Sequence, residues 1–303
     1  MSPSQYKARY DRLPVSLGDG PPTVIAVNQY RLRSMNYNET AARAFLDALR
    51  KNGMDMVLRI NTPAGPVRTD EHLTEMERAF QKRTRVDATL HIEGVGGGTS
   101  LETTTVANWA LLARYVFAGK GSPEACQVVL QLAYHWELTT NVQQYANDAL
   151  GLDCNGFVGN YLWHVKKTNP WYDLGVGNLD LGPDAHINEY FNGKKFVSSW
   201  DEIDVNQTYI LGMVDNAGNI IRGGPGGNPG HFAITEAGQR QDRRTARGGA
   251  TFAIRVVEST GAHTPGLWES WYTHTGVSNK IFDIDREEMV RAHRFYPFKI
   301  AVL

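Results

Sequence analysis

The sequence predicts an α+β fold, and three observations predict it. Helical and strand-type runs mix in the first hundred residues, helix-type sequence follows from about Thr105, and strand-type runs dominate from about Lys195 to the C-terminus. Helices followed by a succession of antiparallel-looking strands fit α+β better than alternating β and α units, which would predict a parallel sheet.

Each element has its own warrant. Residues 1–20 are polar and turn-rich and read as an arm, and Val24 to Val27 reads as a strand. Asn38-Glu39-Thr40 opens an amphipathic helix to about Lys51, with Ala42, Phe45, Leu46 and Leu49 at helical spacing. MVLRI at 56–60 reads as a strand, Glu71 to Arg83 as a helix, and Ala88 to Ile92 as a strand closed by the glycine-rich GVGGG at 94–98. Residues 1–104 therefore form an N-terminal α+β region, and the change of texture places the second domain at 105–303. That domain starts with a helix from Trp109 to Phe117. Another runs to about Trp136, with Ser122 as N-cap and Pro123 in the first helical position. A further helix begins after Cys154. The strands are expected in TYILGMV, GHFAITE, TFAIRVVEST and FYPFKIAVL, with Asn216-Ala217-Gly218 as a hairpin turn.

Composition excludes several functions. The 31 basic and 32 acidic residues leave a net charge of −1, so no global field gathers nucleic acid or anionic membrane. No apolar run approaches the roughly 18–20 residues of a membrane span. The N-terminus lacks an apolar signal core, which predicts a cytoplasmic protein as synthesised, with signal-independent export left open. Two cysteines make no disulfide framework. The nine histidines form no HExxH or CxxC grouping, and GVGGGT at 94–99 lacks the remaining signature of a phosphate loop, so neither a metal nor a cofactor is expected.

Cys154 is the residue that carries chemistry. Asp153 is a favoured N-cap type, and Phe157, Val158, Tyr161, Leu162 and Val165 continue at helical spacing. The thiol then sits in a first turn, where free N–H groups and the helix dipole favour a thiolate below the usual ~8.5. A buried structural thiol is the alternative, and Cys126, inside EACQVVLQLA, fits that description. His231 begins the strand after the loop GGPGGNPG, with Ala233 on its face. A thiol needs such a base to form an ion pair and to protonate a leaving amine.

LDCNGFVGNYL followed by GHFAI resembles the NlpC/P60 superfamily of papain-like cysteine peptidases and amidases, over roughly Tyr145 to the last strand. Asn155 stands where that family usually has serine, and the spacing between the motifs is long, which places an insertion within 169–200. The resemblance implies a papain-like domain with the cysteine helix packed on an antiparallel sheet. It implies hydrolysis of an amide through a thioester on Cys154 with His231 as general acid–base, most often in a peptidoglycan stem peptide at a D-glutamyl or γ-linked bond. It also implies an oxyanion donor from a tyrosine upstream, for which Tyr145 is the nearest match and Tyr134 a weaker one. The third member belongs on the next strand. There, alternation puts Glu258 at the end of the row Phe252, Ile254 and Val256, and a carboxylate at such a place needs a partner. His263 is the alternative orienting residue, and a solvent-facing Glu258 a third reading. Other chemistries on the same fold are an acyltransferase or a deamidase, and a binding module without activity is the non-enzyme alternative. RQDRRTAR at 240–247 reads as a solvated hairpin loop. LWESWY at 267–272 reads as an aromatic cluster that caps the core or stacks on substrate.

Overall fold

Contacts divide the chain into two compact units: one is Ala8–Leu152, the other Asp153–Leu303 together with Met1–Lys7. The computed structural model describes residues 1–18, 20–32, 35–52, 57–61, 89–95, 101–166, 187, 190–221, 230–244 and 250–303. The expected helix at Glu71 to Arg83, the glycine-rich loop before Gly230 and most of the expected insertion within 169–200 lie outside the described residues.

The expected arm is instead helix α1 (Pro3–Asp11) and strand β1 (Leu13–Val15). Tyr6 and Tyr10, four residues apart and so on one helical face, are both fully buried, which is the signal hidden among polar neighbours. In the Ala8–Leu152 unit, the Tyr10 hydroxyl donates to the Gly121 carbonyl (3.0 Å) and β1 pairs antiparallel with β2 (Thr23–Ile25). Helix α2 (Glu39–Asn52) buries Ala42, Phe45 and Leu49 as its spacing requires. Strand β3 (Val57–Asn61) runs parallel to β4 (Thr89–Val95), and β4 pairs antiparallel with β5 (Leu101–Thr105), a threonine-rich strand that its sequence does not announce. Helices α3 (Val106–Phe117), α4 (Pro123–His135) and α5 (Val142–Ala149) complete this unit. Ser122 caps α4 by accepting from the Ala125 N–H (3.1 Å). The Phe45 ring packs 5.6 Å from Phe117 and 5.3 Å from Trp136, which joins α2 to the later helices.

The second unit holds α6 (Cys154–Lys166), 3-10 turns at Trp200–Glu202 and Arg291–His293, and six antiparallel strands: β6 (Tyr209–Met213), β7 (Phe232–Arg244), β8 (Ala250–Ser259), β9 (Leu267–Ser278), β10 (Ile281–Arg286) and β11 (Phe295–Val302). They close into a barrel in the order β10-β11-β6-β7-β8-β9. Closure needs local bending, which the register shifts on β7 between Thr235 and Arg240 and on β10 at Asp283/Ile284 supply. Inward-facing Leu211, Ala233, Ile254, Val256, Phe282 and Phe298 fill the interior. The first five residues of the basic run, Arg240–Arg244, belong to β7 and pair with β8, and its remainder at 245–247 lies outside the described residues. Gly218 closes the hairpin after β6 with φ +81°, its N–H donating to the Asp215 carbonyl (2.9 Å). The N-terminal residues are tied into this unit: Ser4 donates through its N–H (2.7 Å) and hydroxyl (2.5 Å) to Glu236, and Tyr6 packs against Phe157 and Tyr161 of α6. Among the described residues no helix is long and apolar enough to cross a membrane.

Candidate active site

The start of α6 is fixed by Asp153, whose carboxylate accepts the Gly156 N–H (2.6 Å) while its carbonyl accepts that of Phe157 (3.0 Å). Phe157, Val158, Tyr161 and Leu162 are buried, and the helix lies against β7 and β8. This leaves Cys154 in the first turn, 6 % exposed, with its sulfur 3.7 Å from the Asn155 side-chain oxygen and 3.8 Å from the carbonyl oxygen of Gly230. The cap has a measurable worth. Asp153→Ala should lower unfolding free energy by about 1–2 kcal/mol in urea titrations, a loss that Asp153→Asn largely restores.

Gly230 precedes His231, so the cysteine helix and the histidine strand meet here. His231 joins the barrel ladder one residue before β7, its carbonyl accepting from the Met213 N–H (2.8 Å). Ala233 stands opposite Glu258 in the β7–β8 register and points into the barrel, which carries His231 to the same end of the interior. The Nε2 atom of the imidazole lies 2.6 Å from a Glu258 carboxylate oxygen. The geometry thus brings Glu258, and not His263, to His231. His263 is stacked on Trp268 with ring centroids 4.5 Å apart, and its Nε2 has no hydrogen-bond partner among the described residues. Tyr145 belongs to the other unit. It sits on α5 with its ring edge-on to Phe117, its hydroxyl buried without a partner among the described residues and pushed up by burial. Tyr134 is exposed on α4.

Three residues that the sequence reading missed complete the site. Glu258 is wholly buried and accepts from the Ser270 hydroxyl (2.7 Å), the Tyr272 hydroxyl (2.9 Å) and the Arg286 guanidinium (2.6 Å) as well as facing His231. Arg286 is 3 % exposed and donates its other terminal nitrogen to the His293 carbonyl (3.1 Å). Burial alone would raise the Glu258 carboxyl, but the Arg286 charge and the hydrogen bonds from His231 and Ser270 hold it far below the usual carboxylate range. Burial and the Arg286 charge press His231 below its ordinary value, against the opposite pull of Glu258. Burial lifts the Tyr272 hydroxyl and keeps it a donor. The signal for Arg286 was available: Phe282 and Ile284 alternate inward along β10, so the next inward position is Arg286, placed as Glu258 is on β8.

Comparison with protein-family models, with curated proteins and with solved structures finds no match to this chain. The chemistry therefore rests on the site itself. It offers a thiol in the first turn of a helix, close to the backbone just before a histidine that a carboxylate holds. With Nε2–H donating to Glu258, Nδ1 carries the lone pair and is the nitrogen able to accept a proton.

Proposed function

We propose that this protein is a cysteine hydrolase that cleaves an amide bond through a thioester on Cys154. The observation that carries the reading is the approach of the Cys154 sulfur to the residue preceding His231, with the imidazole in turn held by Glu258. As sulfur attacks the substrate carbonyl carbon, His231 Nδ1 takes the thiol proton and the carbonyl electrons move to oxygen. Collapse of the tetrahedral adduct expels the amine, which receives that proton from His231. Water then gives a proton to His231 and attacks the thioester, and the acid leaves as the proton returns to sulfur. The net change is amide plus water to acid plus amine. N–H groups of the first helical turn have no intrahelical acceptor and are suited to the oxyanion, each donor contributing about 3 kcal/mol to such a transition state.

The LDCNGFVGNYL and GHFAI motifs favour a peptidoglycan stem peptide as substrate. Mass spectrometry of muropeptides and of a cytosolic peptide library after incubation with the protein decides this. Cleavage at a γ-D-glutamyl bond is the expected result. Transfer of an acyl group to an added amine would favour the transferase, and no change in either pool would remove the hydrolase assignment. The thiols give a separate test. Cys126 is fully buried in α4, and burial beside Glu124 pushes its thiol up, so iodoacetamide at pH 7.5 should modify Cys154 at least tenfold faster. Equal, slow modification of both would remove the nucleophile.

A further inference from the structure

We propose that Arg286 is a positioning residue of this site: by clamping Glu258 and facing the Nε2 edge of His231, it keeps the resting pair as neutral thiol and neutral imidazole. The inference rests on the proposed roles of Cys154 and His231 and goes further, because it reverses the ion pair expected from the sequence. In a cysteine–histidine pair oriented by a bare carboxylate, the negative charge favours imidazolium and therefore thiolate. Here the carboxylate is already matched. Arg286 Nη2 lies 2.6 Å from Glu258 Oε2 and 3.5 Å from His231 Nε2, the second too long for a useful hydrogen bond but close enough for charge repulsion. Both charges are buried, at 3 % and 0 % side-chain exposure, so solvent screens neither.

Among the described residues, the groups around the imidazole and its partner come from several elements. Glu258 stands on β8, Ser270 and Tyr272, which bind Glu258, on β9 and Arg286 on β10, the edge of Phe298 comes from β11, and α6 brings the Cys154 sulfur to the Gly230 carbonyl just before His231. Ser270 and Tyr272 donate hydrogen bonds to Glu258 and add no charge. The Glu258–Arg286 pair sums to zero, so burial decides the charge of His231, and burial favours the neutral ring. The proton then crosses from sulfur to Nδ1 only as the bond to the substrate carbonyl forms. Glu258 still fixes the tautomer, which needs its oxygen and not its net field.

The test follows the His231 imidazole by NMR across pH in the Cys154→Ala protein, where thiol ionisation does not enter. The expected midpoint is below the ordinary ~6.5. Arg286→Met in the same background should raise it by about one pH unit or more, and Arg286→Lys, which keeps the charge, should leave it near the parent value. A parent midpoint at or above 6.5, or a midpoint that Arg286→Met leaves in place, overturns the proposal. Should the Met variant not fold, the parent titration alone decides. None of these readings requires turnover, so they separate this inference from the hydrolase assignment.

Discussion

Cys154→Ala should abolish amide hydrolysis, and His231→Ala should lower kcat/KM by at least about a hundredfold, the lower end of what general acid–base catalysis contributes. The two residues act as one unit, so the double variant should lose no more than the cysteine variant alone. Neither change should unfold the protein. Removing the imidazole leaves Glu258 with three donors, from Ser270, Tyr272 and Arg286, so the lost hydrogen bond should cost only about 1 kcal/mol. His263→Ala serves as the control. Its ring stacks on Trp268, and Glu258, not His263, meets the His231 imidazole, so hydrolysis should change less than threefold. Loss of activity in His263→Ala with activity retained in His231→Ala would assign the base to the wrong histidine.

The parts of this site that were legible in the sequence share one property: each is fixed by a local rule. An aspartate before an apolar helical run places Cys154 in a first turn, and alternation along TFAIRVVES places Glu258 at the end of an inward row. Glu258 meets His231 because both elements keep the register those rules imply. Arg286 obeys the same alternation, but its strand contains Asp283 and Asp285 and has little apolar signal, so neither β10 nor its buried end is announced by the sequence. Barrel closure was illegible for a different reason. It depends on β11 pairing with β6, far apart in sequence, and no local pattern states that partner. Change of texture along the chain does not state which helices pack together: Phe45 of α2 meets Phe117 at the end of α3 and Trp136 just after α4. In α1, the buried face is made by two tyrosines, Tyr6 and Tyr10, among mostly polar neighbours.

Glu258→Gln should destabilise the protein by about 3–5 kcal/mol, more than any single hydrogen bond at the site explains. The substitution keeps the shape and still offers an oxygen to His231, but it strips Arg286 of its counter-charge at 3 % exposure. A buried guanidinium without a partner is the source of the cost, and the cost should therefore fall when the guanidinium is removed as well. Glu258→Gln with Arg286→Met should regain at least about 1–2 kcal/mol over Glu258→Gln alone, measured by urea unfolding with coincident fluorescence and circular dichroism transitions. Full recovery is not expected, because the His231, Ser270 and Tyr272 donors still need an acceptor. The pH dependence carries the same signature. Glu258 is held below its unfolded value, so its contribution is present above about pH 4.5 and is lost as pH falls toward its folded value. His231 is likewise depressed, so its neutral burial contributes above about pH 6.5 and is lost as pH falls below that. Both signs run the same way, and stability of the native protein should decline in two steps on acidification. In Glu258→Gln the lower step should shrink while the upper one persists. A Glu258→Gln protein within 1 kcal/mol of the parent, with both steps intact, would mean that water reaches Arg286 and that the pair is not a buried charge.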